Sequence, residues 1–382
     1  MVWIDKHKLW LFAGIVSILA ALLRLNGLSM ESVDYQGCLG PWYYTIRDNG
    51  GLKGISQQVG DYNVLYQLLI ALMTYLPFYP LYMYKALSVF FDYLMAASAG
   101  LIVFELSDRS MFRAVLAYAA VLLLPTVFIN SAWWAQCDSI YTMFVLLALY
   151  FILKQRETLA FVMIGIAFQF KLQTVFVIPF LLYYYAASRR FSLLNFLLIP
   201  LMSMVVCVLC GRSPLATFQI YAGQAGNYVG MSHNFPNIWN LISRHDYLFK
   251  MAAIMLTICI LGIGLLITMQ RKVVFDRENI YKWLVWTIWT CLIFLPSLHE
   301  RYAYMLGILL VMALVLNAKM LGYVVLFEIT ILIGYVRFLW GTTGPAQISD
   351  YVFSVMFLLG YVIFTYQNLV LDDHWLEKKT VQ

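Results

Sequence analysis

The first long polar interruption in this chain, residues 29–77, carries Glu31, Asp34, Asp48 and Asp61 among aromatics and glycines. Its chemistry-bearing runs are Asp34-Tyr35, Trp42-Tyr43-Tyr44 and Gly60-Asp61-Tyr62. Further on stand Gln136-Cys137-Asp138, Lys171, His233 and His299-Glu300-Arg301-Tyr302. Carboxylates and isolated cations together suit displacement at a phosphate-linked carbon: a carboxylate takes the proton of an attacking hydroxyl, and cations stabilise the departing phosphate. Asp34 is the candidate base. Asp138 either orients a substrate or caps a helix that begins at Ser139. Lys171, Arg301 and Lys85 are the candidate phosphate ligands, because an unpaired membrane lysine is costly to keep. Against this, Lys171 could snorkel to the interface, and Arg301 could pair with Glu300 or Asp138. Tyr35, Trp42, Asp61, Gln136, His233, His299 and Glu300 are candidate substrate contacts. Asp61 also reads as a turn into a helix, and His299 as a hydrogen-bonded loop residue.

These groups must be positioned by membrane helices. The chain is 63% apolar and 12% charged, with a mean hydropathy of +0.79, against roughly 45–50% apolar and about 25% charged in soluble domains. A helix needs about 20 mostly apolar residues to cross the hydrocarbon, so the 382 residues accommodate about 12 crossings. The fold class is therefore all-α and polytopic, a single domain over residues 1–382 with no soluble domain of any size. Juxtamembrane helices are expected in the first outer loop (29–80). The net charge of +6 comes from short basic clusters between apolar runs, the pattern of the positive-inside rule, and implies no nucleic acid. Four of the six cysteines sit in apolar runs as small hydrophobes. Cys38 and Cys137 both fall outside, where a disulfide between them is open but has no further support, and Cys207 and Cys210 read as core packing.

Threading by basic loops gives the order. Lys6 and Lys8 place the N-terminus in the cytoplasm, the first span (9–28) exits as a retained helix, and residues 29–61 lie outside. A crossing at 61–80 would invert every later basic loop, so that stretch is expected to dip into the membrane face or lie along it, and the second span covers about 84–106. Residues 131–138 form a short outer loop. The apolar run 158–187 reads as two short spans meeting at Phe170-Lys171-Leu172-Gln173, which sets Lys171 at the outer surface and Arg189 and Arg190 inside. Residues 211–250 form a second large outer loop, 298–302 and 341–350 lie outside, and the tail with Lys378 and Lys379 ends inside. The expected location is the plasma membrane, with both termini cytoplasmic and the site extracytoplasmic. Arg24, Asp92, Glu328 and Arg337 fall in or near apolar runs and are expected to form structural pairs. Trp42, Trp133 and Trp134 read as interfacial belt residues or as platforms for sugar rings.

The acidic first loop, Asp34-Tyr35 with Pro41-Trp42-Tyr43-Tyr44 and Gly60-Asp61-Tyr62, resembles that of the polytopic GT-C glycosyltransferases, in particular a bacterial branch similar to the GPI-anchor mannosyltransferases. Trp134-Ala135-Gln136-Cys137-Asp138-Ser139, the run around Lys171, Asn234-Phe235-Pro236-Asn237-Ile238-Trp239 and His299-Glu300-Arg301-Tyr302 are similar to short patterns of that group, in the same order. The resemblance runs from residue 1 to about 310. It implies a polyprenyl-phosphate sugar donor and transfer on the extracytoplasmic side to a glycan, lipid-linked or protein acceptor, among membrane lipids. Asp34 is followed by Tyr35, so the paired-acid form of the loop is absent. A divalent cation, Mg or Mn, is therefore not required by the pattern, and metal use stays open. The competing class is a lipid or polysaccharide transporter, which would gather its polar residues at mid-membrane; a membrane acyltransferase finds no suitably placed His and Asp.

Overall fold

The computed structural model describes residues 2–227, 230–242, 249–341 and 347–371. The tail with Lys378 and Lys379 and residues 342–346 of the 341–350 turn lie outside the described residues. The chain is helical almost throughout. In order, the helices are α1 Val2–Leu25, α2 Gly40–Asp48, α3 Val64–Met73, α4 Pro80–Leu106, α5 Met111–Leu122, α6 Pro125–Phe128, α7 Asp138–Leu153, α8 Glu157–Phe170, α9 Ile178–Ser188, α10 Leu198–Leu209, α11 Ala216–Asn227, α12 Trp239–Ile242, α13 Phe249–Gln270, α14 Arg277–Phe294, α15 Tyr304–Leu316, α16 Leu321–Trp340 and α17 Asp350–Thr365. Two short strands, β1 Ser232–His233 and β2 Leu298–His299, pair in parallel.

Among the described residues, five helical stretches are long and apolar enough to cross a membrane: His7–Leu25, Pro80–Leu106, Phe249–Gln270, Ala318–Trp340 and Asp350–Val370. A sixth is formed if Met111–Leu122 and Pro125–Trp133, bent by 51° at the break, count as one span. Pro125 explains the break: it follows Leu124, whose backbone is extended, as the residue before a proline prefers. Other apolar helices are shorter, among them Val64–Met73, Asp138–Leu153 and Glu157–Phe170. At about 1.5 Å per residue none of these three spans a core of about 30 Å. The 10-residue α3 agrees with a stretch that does not cross.

The contacts cluster into two compact units. The first comprises Met1–Ser98, Leu122–Val175 and Phe191–Tyr228; the second comprises Ala99–Val121, Phe176–Arg190 and Val229–Gln382.

In the first unit, Arg24 near the end of α1 is buried with Asp92 of α4. Its Nε and Nη2 donate to Asp92 Oδ2 at 3.0 and 2.8 Å, and Ser131 Oγ donates to the same oxygen at 2.6 Å. Nη2 also reaches the Leu122 carbonyl at 3.1 Å, and Nη1 the Ala20 carbonyl at 3.1 Å. The expected structural pairing of these two residues is thus with each other. The segment after α2 is held by a second cation, Arg212 after α10, whose guanidinium donates to the carbonyls of Ile55 and Gln57 and to the side chains of Gln58 and Gln67. These bonds close the C-terminal end of the 3-10 turn Gly51–Ser56, whose last carbonyls lack a continuing helix.

In the second unit, Arg337 of α16 pairs with Asp350 at the start of α17, across helices as expected. The loop from Met231 to Trp239 is stitched to the end of α14 and the residues just after it. Ser297 N donates to the Met231 carbonyl at 2.9 Å, Trp239 Nε1 to the Phe294 carbonyl at 2.9 Å, and Ile238 N to the Ile293 carbonyl at 3.2 Å.

All six cysteines are free thiols, Cys38 and Cys137 included. Cys207 is buried with its Sγ 3.2 Å from Thr217 Oγ1, a packing role.

Removing Arg24 would leave the Asp92 carboxyl buried without its cation, whereas Arg47 and Asp48 form an exposed pair. Arg24→Met is expected to lower stability by about 3–5 kcal/mol. Arg47→Ala is expected to change it by less than about 1 kcal/mol. Thermal unfolding in detergent micelles compares the two.

Candidate functional site

Asp34 follows the turn that ends α1, and its neighbour Ser32 anchors that turn by donating Oγ to the Trp134 carbonyl at 2.9 Å. The half-buried carboxylate of Asp34 is gripped from the segment between α6 and α7. Trp134 Nε1 donates to Asp34 Oδ2 at 2.8 Å, and Gln136 Nε2 donates to the same oxygen at 2.5 Å. Gln136 is fixed in turn, since its Oε1 accepts the Tyr62 hydroxyl at 2.8 Å and its backbone N–H donates to the Asn130 carbonyl at 2.9 Å. Such a relay locks the amide rotamer, so the side chain meets Asp34 with its donor end.

The gripping segment is itself irregular. After α6 the chain makes one π-helical turn, Ile129–Trp133, and Ala135 sits at φ +65°. Trp133 packs against Gly27 so tightly that a Cβ there would lie 2.4 Å from the indole ring. Behind the segment lies the pair Asp138–Lys171. Lys171 Nζ donates to Asp138 Oδ1 at 2.6 Å, Asn130 Nδ2 donates to Asp138 Oδ2 at 2.9 Å, and the lysine lies 5.3 Å from the centre of the Tyr62 ring. Asp138 is the first residue of α7, where a negative charge suits the helix dipole; the cap position before it is Cys137, which makes no side-chain capping bond.

Several expectations change here. The break in the apolar run is present, with Lys171 in extended conformation between α8 and the 3-10 turn Leu172–Val177. Lys171 does not stand at the outer surface, however; its side chain is 4% exposed, and that of Asp138 is 1% exposed. The 131–138 loop is likewise buried, with Trp134, Ala135 and Cys137 inaccessible, because its polar groups are satisfied by protein. Trp134 is therefore neither a belt residue nor a sugar platform. Lys85, expected at a phosphate, is buried and donates Nζ to the Gly27 and Met30 carbonyls at 2.7 and 2.5 Å, capping the turn after α1.

Tyr35 points into an aromatic cluster with Tyr79 and Tyr84, at ring distances of 6.5 and 6.4 Å. Burial pushes its hydroxyl well above the usual tyrosine range, helped by the Tyr79 hydroxyl. Trp42 is edge-on to Tyr62 at 5.3 Å. Asp61 is exposed, and its backbone carbonyl accepts from the Gln224 side chain, which fits the turn reading. Tyr62, beside it, is the residue that joins the Asp34 relay, together with Trp134. Both stand in runs singled out in the sequence, but no role beside Asp34 is read there for either.

His233, His299, Glu300 and Arg301 belong to the second unit. The β1–β2 pairing sets His233 opposite His299, with their rings stacked at 4.6 Å and 12°. Tyr302 lies 5.3 Å from the His299 ring, and Glu300 is buried. Close packing of α16 fixes this corner, since a Cβ on Gly334 would lie 2.9 Å from both the Asn234 carbonyl and Glu300 Cβ. Burial lowers the His233 pKa below its ordinary 6.5, and the Lys250 charge lowers it further. Among the described residues no three His, Cys, Asp or Glu side chains are grouped to hold a metal ion.

Comparison of the chain with protein-family models returns no match, and no curated protein matches it.

Gly60 has φ +69°, and a Cβ there would lie 2.0 Å from the Trp42 ring. Gly60→Ala is expected to cost about 1–3 kcal/mol, read as a lower melting temperature and a shift in tryptophan fluorescence. For His233 the folded pKa is below the unfolded one, so the unfolded chain binds more protons between the two values. Its contribution to stability is complete above about 6.5 and is lost as pH falls from there through the folded value. The melting temperature should fall with acidification in that window, and His233→Gln should flatten the profile.

Proposed function

We propose that this chain is a membrane glycosyltransferase of the GT-C kind, which moves a hexose such as mannose, glucose or galactose from a polyprenyl-phosphate donor to an extracytoplasmic hydroxyl. The acceptor is read as a cell-surface glycan. The observation that carries this reading is the grip on Asp34: two N–H donors converge on one carboxylate oxygen, at the exit of an apolar helix, in a segment too aromatic to be a free loop. A general base requires such fixed geometry. In the step, the acceptor oxygen attacks the anomeric carbon, its proton passes to Asp34, and the bond from that carbon to the phosphate oxygen breaks with its electron pair leaving on the phosphate. The product has inverted configuration.

Lys171 and Lys85 both donate to protein partners, so neither is assigned to the departing phosphate. Asp138 serves as a positioning residue through Lys171 and Asn130. No step is routed through a metal, and an assay with and without chelator addresses that point. About 12 crossings, cytoplasmic termini and an outward site belong to the same reading, with the shorter apolar helices taken as spans in a thinned region of membrane.

A second reading rests on one observation. The pairs Arg24–Asp92 and Lys171–Asp138 are buried among helices, where a transporter of lipid-linked saccharide would keep charges that re-pair during its cycle.

The test uses purified protein in lipid nanodiscs with radiolabelled polyprenyl-phosphate mannose, glucose or galactose and a cell-envelope glycan fraction as acceptor. Wild type is expected to transfer label, and Asp34→Asn to lose about 10²–10⁴-fold in kcat. Gln136→Leu should lose less, because it frees the base without removing it. Equal activity of wild type and Asp34→Asn refutes the base assignment. Movement of intact donor across proteoliposomes without transfer favours the transporter.

A further inference from the structure

A cavity of about 410 Å³ opens in the second unit where α9 and α13 end together. Ser188, Arg190, Thr268, Met269, Lys272 and Phe275 contribute to its wall. Both helices stop through a single left-handed residue that is not glycine, Arg189 at φ +53° and Lys272 at φ +51°. Glycine is the usual residue at such a stop, and here the position carries a cation instead.

The four basic residues at these two ends are used differently. Arg189 lies over the Tyr185 ring at 4.5 Å, and Arg271 Nη1 donates to the Leu369 carbonyl at 3.1 Å. Arg190 and Lys272 line the cavity, and among the described residues no carboxylate pairs with either. The nearest acid in sequence, Asp276, accepts the Asn279 N–H at 2.8 Å as the cap of α14. The floor is closed by Phe275 and Thr268, both buried.

The flank of the cavity is apolar and open. Along α13 and just past it, Ile263, Leu266, Met269 and Val274 are 51–73% exposed, on a helix long enough to cross a membrane. A pair of uncompensated cations at the end of a lipid-facing helix recognises an anion that carries a hydrocarbon tail. A free inorganic ion would make no use of the apolar wall.

We propose that this cavity binds the phosphodiester headgroup of an anionic membrane phospholipid, with Arg190 and Lys272 pairing to the phosphate and the acyl chains lying along the exposed face of α13. The site lies at the basic ends of the helices, and it is independent of the transfer chemistry assigned to Asp34.

Native mass spectrometry of the delipidated full chain in detergent tests this, with phosphatidylglycerol, phosphatidylcholine of matched acyl chains, and inorganic phosphate as probes. Phosphatidylglycerol is expected to bind more tightly than phosphatidylcholine, and millimolar inorganic phosphate should not displace it. The double variant R190A/K272A should weaken phosphatidylglycerol binding about 30-fold, from roughly five- to sixfold for each cation. The charge-preserving R190K/K272R should retain binding, which separates loss of the site from loss of folding. Lys319→Ala, an exposed lysine outside the cavity, should have no effect. The proposal is overturned by equal binding of the two lipids, by unchanged binding in R190A/K272A, by an equal loss in Lys319→Ala, or by displacement with inorganic phosphate. Loss of thermal stability in R190A/K272A with lipid binding retained would assign the two cations to the helix ends alone and equally overturn it.

Discussion

The first unit is built around a charged contact that water does not reach. Lys171 and Asp138 meet at 2.6 Å with side chains 4% and 1% exposed. Removing two such groups from water costs several kcal/mol per ion, and the contact offsets this only because its geometry is tight and Asn130 satisfies the second carboxylate oxygen. The consequence is positional. The pair joins the break after α8 to the first residue of α7, and through Asn130 it fixes the segment that precedes α7. Trp134 and Gln136 stand in that segment, so the orientation of Asp34 follows from an ion pair that does not touch it.

Cations elsewhere in this unit perform a related task, as partners for backbone carbonyls where helices end. Lys85 takes the carbonyls of Gly27 and Met30, and Arg212 takes those of Ile55 and Gln57. A chain that leaves a helix has carbonyls without an intrahelical partner, and a buried polar group left unsatisfied costs several kcal/mol. Long donors with several N–H groups meet that need over a range of loop geometries. This distinguishes an irregular segment with fixed side chains from a mobile loop. In the second unit the same outcome is reached with backbone and amide donors, where β1, β2 and the Asn234–Trp239 loop interlock and Gly334 permits the close approach of α16.

Hydropathy made the helical class legible, and the long apolar runs became helices close to where they were expected. The break at Lys171 was legible for a physical reason, since a lysine inside an apolar run of that length has to be accommodated. The failure of residues 61–80 to form a long span was legible from the basic loops. Partners were not legible. Lys171 and Asp138 are separated by 33 residues and Asp34 and Gln136 by 102, and periodicity along one chain carries no information about pairing at that range. The polar character of residues 131–138 indicated exposure, yet protein donors and acceptors replaced water there. Asp61 drew attention as an acid, although its backbone carbonyl and its neighbour Tyr62 make the contacts that matter. The second unit's His233 and His299 were visible as motif residues, but their stacking depends on a two-residue strand pairing too short to show any alternation.

The dependence of the Asp34 grip on the buried pair is most directly tested by a double-mutant cycle on stability, with Lys171→Met, Asp138→Leu and the two combined, measured by reversible unfolding in micelles. If the pair acts as a strut, each single variant leaves one buried charge unmatched and loses about 3–5 kcal/mol, while the double variant, with two apolar side chains in contact, recovers most of that loss. Losses that simply add in the double variant would show that the two side chains are not coupled and would contradict the account.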